Sequence, residues 1–268
     1  MKKKIVAAFL CLVMVFSLIP SSVLANDNPT QGEGNSKKNI NINYLNEEGT
    51  EYTYEENGVS YKVIETFEQV NDSKTVVKSE ILEKDESGKF IKNSDKVTTV
   101  DKNSNSLVLE TKKNGKTTIE NEKLNQYNDS KPIVSENLLK ENQLSASGPI
   151  NPGEPDLTAY RHRTTKYSTS VANLTYGGII TAISSSIGAA VGGYVGAGFG
   201  GGLGFIATGV LDMALPKVYF TSRISLKYHH GTIIPAMKRT QTWAYTSSWR
   251  TTIIPGGSYP LVEYEYYY

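Results

Sequence analysis

The sequence predicts an α+β protein, with an N-terminal antiparallel β-meander, a linker, and a C-terminal domain in which a Gly-rich apolar helical hairpin is followed by β-strands. Three observations predict it. Short β-branched runs separated by Asn, Asp and Gly turns fill the first half. Glycines recur every four residues inside a stretch, Asn173 to Leu211, that holds no charged side chain. Charge also changes sign along the chain: residues 26–158 hold 24 acidic and 16 basic side chains, whereas residues 159–268 hold 3 acidic and 9 basic. Such asymmetry points to separate roles for the two parts.

Taken in order, Met1-Lys2-Lys3-Lys4, the apolar run Ile5 to Ile19 and the small residues of Ser22-Val23-Leu24-Ala25 make a secretory signal peptide over 1–25, cut after Ala25. The expected location is extracellular. Cys11, the only cysteine, lies in that apolar run, so no thiol or disulfide chemistry is expected of the mature chain. Residues 26–39 are rich in Asn, Gly, Ser and Lys and read as a disordered lead-in. Residues 40–144 read as an acidic β-rich domain with the character of a pro-region. Its expected strands are 61–67, 75–82, 96–100 and 106–111, with turns at Asn71-Asp72-Ser73, Asp85 to Gly88, Asn103 to Asn105 and Asn114-Gly115. Ser135 to Leu144 patterns as a short helix. Residues 145–158, with Pro149, Pro152 and Pro155, form a Pro/Gly linker where the charge balance turns over.

Residues 159–268 then read as a cationic membrane-active domain. Gly188, Gly192, Gly196, Gly200 and Gly204 would form one smooth helical ridge that a second helix can approach closely. Ile187, Val191, Val195, Phe199 and Leu203 each precede one of these glycines and form an apolar row beside it. Glycine costs ~1 kcal/mol relative to alanine at a helix position in water, so this zipper is expected to be packed, inserted in lipid, or flexible. Lipid removes water's competition for backbone hydrogen bonds and so favours helix. A continuous helix from Val171 to Ala197 would run about 40 Å, enough to cross a bilayer, although Thr175, Thr181 and Ser184 to Ser186 make it less apolar than a permanent anchor.

From Val218 to Tyr228 strand alternation returns. Arg161, Arg163, Lys166, Lys217, Arg223 and Lys227 are the expected contacts to an anionic membrane surface, and Trp243 and Trp249 the expected interfacial aromatics. An ordinary β-hairpin with aromatic cross-strand pairs would account for the same tryptophans and tyrosines.

Little in the chain suggests catalysis, and neither a metal nor a cofactor is expected. His229 and His230 are adjacent, so in a strand they point to opposite faces and cannot share one metal. Gly196-Ala197-Gly198-Phe199-Gly200-Gly201 matches G-x-G-x-x-G without the strand, helix and acidic residue that give that motif its meaning. Nucleic acid is not an expected partner.

The signal peptide, the acidic β-rich first half and the Gly-rich, cationic, Tyr-rich second half together resemble the large secreted, geobacillin-like bacteriocins of Gram-positive bacteria. The likeness is carried by this layout and by the Gly177 to Gly209 stretch. It implies killing of related bacteria by membrane permeabilisation. The target bacterial membrane, further copies of the chain and a producer's immunity protein are the partners it implies. The chain departs from small pore-forming bacteriocins in its length, its long N-terminal half and its lack of a cysteine pair. The competing expectation is a non-enzymatic cell-surface or matrix protein that uses the apolar segment as a core or an assembly interface.

Overall fold

A computed structural model describes residues 36–127, 161–191, 200–228 and 235–266, all of which belong to one unit spanning 31–268. The expected signal peptide, the helix at 135–144 and the linker at 145–158 lie outside the described residues.

Alternation of β-branched and charged residues in the first half builds seven strands: β1 (Lys38–Leu45), β2 (Gly49–Glu56), β3 (Val59–Gln69), β4 (Lys74–Lys84), β5 (Phe90–Asp101), β6 (Ser106–Lys113) and β7 (Lys116–Lys123). They pair antiparallel in strict chain order. The turns are those that glycine and asparagine allow: Asn57-Gly58 and Asn114-Gly115 both take positive φ at each residue, as a two-residue hairpin turn requires. Period-two alternation puts one set of side chains inward. Tyr52 lies opposite Val63 and Val63 opposite Ile81, while Thr50 lies opposite Glu65 and Glu65 opposite Ser79. The edge strand β7 is exposed along its whole length and carries Lys116 and Lys123, charges that discourage edge-to-edge pairing.

A second sheet is formed by β8 (Gln126–Tyr127), β9 (Arg161–Ser170), β10 (Lys217–Tyr228), β11 (Pro235–Tyr245) and β12 (Leu261–Tyr266), in the order β12-β11-β10-β9-β8. Between β9 and β10 the chain makes α1 (Tyr176–Val191) and α2 (Gly200–Asp212). Ile179, Ile183 and Ile187, one helical turn apart on α1, are fully buried, and they join Val63 of the first sheet and Tyr167 and Phe220 of the second in one continuous cluster. Burying a side chain of this kind contributes about 1.5–3 kcal/mol. α2 adds Leu203, Ile206, Ala207 and Val210 to the same core.

The α+β expectation organised around an apolar helical hairpin is corrected by this architecture. Strands account for 59% of the described residues, in two antiparallel sheets, and the two helices are short, with 16 and 13 residues. The physical reason lies in what the apolar positions pack against. α1 meets β9, β10, β4 and β5 as well as α2, so its apolar side chains are shared between two sheets. Helix begins at Tyr176 and not at Val171, because Val171 and Ala172 donate to the Pro216 carbonyl and Asn173 adopts a left-handed φ of 60°. Gly188 lies in α1 and Gly200 and Gly204 in α2, so the four-residue glycine repeat is divided between two helices. Among the described residues no helix is long and apolar enough to cross a membrane.

Candidate functional site

The N-terminus of α1 is seated on a carboxylate. Glu65 sits on the inward face of β3, is 0% exposed, and accepts a hydrogen bond from the Gly177 backbone N–H at 2.6 Å and another from Ser79 Oγ at 2.7 Å. Ser79 Oγ is also 3.1 Å from Thr175 Oγ1, and the Tyr176 N–H donates to Tyr52 Oη at 3.1 Å. Two of the N–H groups that every helix start leaves unpaired are thus satisfied by the first sheet. The partial positive charge of the helix end favours a carboxylate there. Burial nonetheless raises the Glu65 pKa above its ordinary value of 4.5, against hydrogen bonds from Thr175, Ser79 and Gly177 and the charge of Lys96, all of which lower it. Burial likewise pushes the Tyr52 hydroxyl well above the usual tyrosine range.

Glycine is required at this seat. A Cβ on Gly177 would lie 2.5 Å from Phe67 Cε1 and 2.8 Å from Glu65 Oε2. Further along α1, Ser186 donates to Asn125 and shares a short hydrogen bond with Thr169, while Asn125 Nδ2 returns a bond to the Ser186 carbonyl at 3.1 Å. The helix is therefore held by polar locks at its start and its middle, with apolar packing between them.

The expected zipper residues are distributed as follows. Gly188 and Ile187 are buried in α1, Leu203 is buried in α2, and Gly204 lies 3.0 Å, measured from a Cβ placed on it, from the Tyr176 hydroxyl. Val191 closes α1 and Gly200 opens α2. Gly192, Val195, Gly196 and Phe199 lie outside the described residues. Two glycines of α2 that are not in the repeat make closer approaches: a Cβ on Gly202 would be 2.2 Å from Leu261 Cδ2, and one on Gly209 2.6 Å from Ile254 Cγ2. Both meet side chains from the second sheet and its last loop.

The cationic set is partly gathered. Alternation places Lys166, Lys217, Arg223 and Trp243 on the same side of the second sheet, where Lys166 pairs across to Thr221 and Thr221 to Trp243, and where Arg223 pairs to Gln241. Lys166 and Arg223 are exposed, and Lys217 Nζ is bonded to Gln126 Oε1 at 2.7 Å. Tyr264 and Tyr266, stacked with ring centroids 6.4 Å apart, extend this surface along β12, an addition that the terminal run of tyrosines foreshadows. Lys227 belongs to the same alternation but is 1% exposed, which removes it from the surface. The side chains of Arg161 and Arg163, and all of His229 and His230, lie outside the described residues.

Trp249 is set apart on the loop before β12. It is 86% exposed, and the neighbouring Arg250 fixes the loop by donating to the carbonyls of Phe220 at 3.1 Å and Tyr167 at 3.3 Å. Among the described residues no three His, Cys, Asp or Glu side chains come together in a group able to hold a metal. No protein family, curated protein or solved structure matches this chain.

Proposed function

We propose that the chain is a secreted antibacterial protein, non-enzymatic, that permeabilises bacterial membranes after its uncharged segment leaves the acidic sheet that covers it. One observation carries this reading: a charge-free, Gly-rich helix, α1, is capped and covered by the acidic N-terminal sheet through the Glu65–Gly177 and Ser79–Thr175 contacts. Such an arrangement keeps an apolar segment out of water until the contacts part. The Lys166, Arg223 and Trp243 face of the second sheet supplies attraction to anionic headgroups, and the exposed Trp249 suits the bilayer interface.

A second reading rests on the complete burial of Ile179, Ile183 and Ile187, which is what a permanent core would show. In that reading the chain is an extracellular binding or surface protein, and α1 never leaves.

One experiment separates them. Ser79 Oγ and Thr175 Oγ1 are 3.1 Å apart, and the only native cysteine, Cys11, is in the expected signal peptide. A Ser79→Cys/Thr175→Cys double variant should form a bridge that staples α1 to β4. Dye release from phosphatidylglycerol vesicles and depolarisation of Gram-positive cells are expected from the native protein, to be absent from the oxidised variant and to return on reduction. Equal release from oxidised and reduced forms would overturn the departure of α1. Release from no form, native protein included, would leave the surface-protein reading.

A further inference from the structure

The acidic N-terminal sheet contains a cationic hollow. Beside the Asn173–Thr175 turn that leads into α1, a cavity of about 240 Å³ opens over the inward face of β2 to β6. Three lysines line it, Lys37, Lys96 and Lys113, and Glu56 is the one carboxylate among its lining residues. Glu65 and Glu120 also act on Lys96 from outside the lining, and Glu120 accepts a hydrogen bond from Asn173 Nδ2 at 3.0 Å.

The ammonium groups of Lys37 and Lys96 are held by loose or neutral partners. Lys37 Nζ is 3.8 Å from Glu56 Oε1 and 5.3 Å from the centroid of the Tyr54 ring, a loose contact to each. Lys96 Nζ donates at 2.6 Å to the Asn173 carbonyl, a neutral acceptor. Its pKa is pushed down to about 8, first by burial and then by the charge of Lys37, against the charges of Glu120, Glu56 and Glu65, which raise it. Like charges held together at a partly buried wall are unfavourable, and an anion bound between them relieves the repulsion. Ser94 and Thr111 add hydroxyls to the same wall.

We propose that this cavity is a binding site for a small phosphate monoester, held by Lys37, Lys96 and Lys113. Three lysines against one carboxylate in the lining favour an anion, and three ammonium groups on one wall suit the several oxygens of a phosphate better than the two of a carboxylate. The volume corresponds to about eight waters, enough for a phosphate with a group the size of glycerol. The site borders α1, because Asn173, Leu174 and Thr175 of its wall lead into that helix and Tyr52 accepts the Tyr176 N–H; binding measured without lipid tests it apart from the membrane reading.

The test is calorimetric titration of the whole protein with inorganic phosphate and with glycerol 3-phosphate at constant ionic strength. Saturable one-to-one binding is expected, weakened at least tenfold by Lys96→Gln and by Lys113→Gln, and weakening as pH rises past about 8, where Lys96 loses its proton. Tighter binding of glycerol 3-phosphate identifies an ester-borne phosphate as the ligand, and equal binding identifies phosphate itself. Lys113 is exposed, so its replacement leaves the fold intact by circular dichroism. Unchanged affinity in Lys113→Gln, or no saturable heat from either probe, overturns the site.

Discussion

Glu65 concentrates the conflict on which this structure is built: a carboxylate whose burial outweighs the charge of Lys96, accepted because a helix start and two hydroxyls need it. Its raised pKa fixes the sign of a pH effect. Between 4.5, the unfolded value, and the higher folded value, the native state binds the proton that the unfolded chain releases, so this group's contribution to stability falls as pH rises through that window. Glu65→Gln should remove that fall, and urea denaturation of both proteins at stepped pH should show the variant gaining on the native chain as pH rises. Parallel pH profiles would refute the assignment. Ala214 offers a second residue-scale test. It ends α2 at a φ of 50°, with the Leu215 N–H bonded to the Val210 carbonyl at 3.0 Å, the position where helices usually place glycine. Ala214→Gly should stabilise the fold by about 1 kcal/mol, read as a rise in the urea midpoint. Neither site was legible from composition. Glu65 stands in Tyr61-Lys62-Val63-Ile64-Glu65-Thr66-Phe67 like any acid on a solvated face, and only the register that aligns it with Thr50 and Ser79 shows that it points inward.

At the scale of elements, the outer face of the second sheet gives a quantitative expectation. Each basic residue near an anionic bilayer contributes about 1 kcal/mol, so Lys166→Gln combined with Arg223→Gln should weaken binding to phosphatidylglycerol vesicles roughly 30-fold and leave urea stability nearly unchanged, since both side chains are exposed. Co-sedimentation measures this, and undiminished binding would remove the face from the proposed mechanism. Its alternation was readable along Val218 to Tyr228, and this stretch is β10. Alternation alone failed at Lys227, because burial changes sides within the strand: Val218, Phe220 and Ser222 are buried on one face, Ser225 and Lys227 on the other. The helical elements were harder to read. An uncharged Gly-rich stretch has the same composition whether lipid or two sheets enclose it, and what selected the sheets was matching shape at Gly177, Gly202 and Gly209, which no four-residue repeat reveals. A Thr before the first helical residue, Thr175, was the local sign of where α1 would start, since its carbonyl accepts the first intrahelical bond from Ile179 at 2.8 Å.

Across the whole molecule, one core serves both sheets, so the acidic and cationic halves are coupled in stability although their charges suggest independence. Ile183→Ala, which empties a fully buried position on α1, should cost about 2–5 kcal/mol and lower the urea midpoint of both halves together, seen as coincident loss of tyrosine and tryptophan signals; both tryptophans lie in the second half. Two separate transitions would show that the core divides. The order of the first sheet has a further consequence. Because β1 to β7 pair only with their immediate neighbours in the chain, the sheet needs nothing beyond Lys123 to close its hydrogen-bond ladder. A polypeptide threading out N-terminus first can therefore assemble a template before residue 176 emerges, local pairing being the fast kind. The glycine-rich helix then meets a prepared groove instead of solvent, and the order of synthesis itself acts as its chaperone.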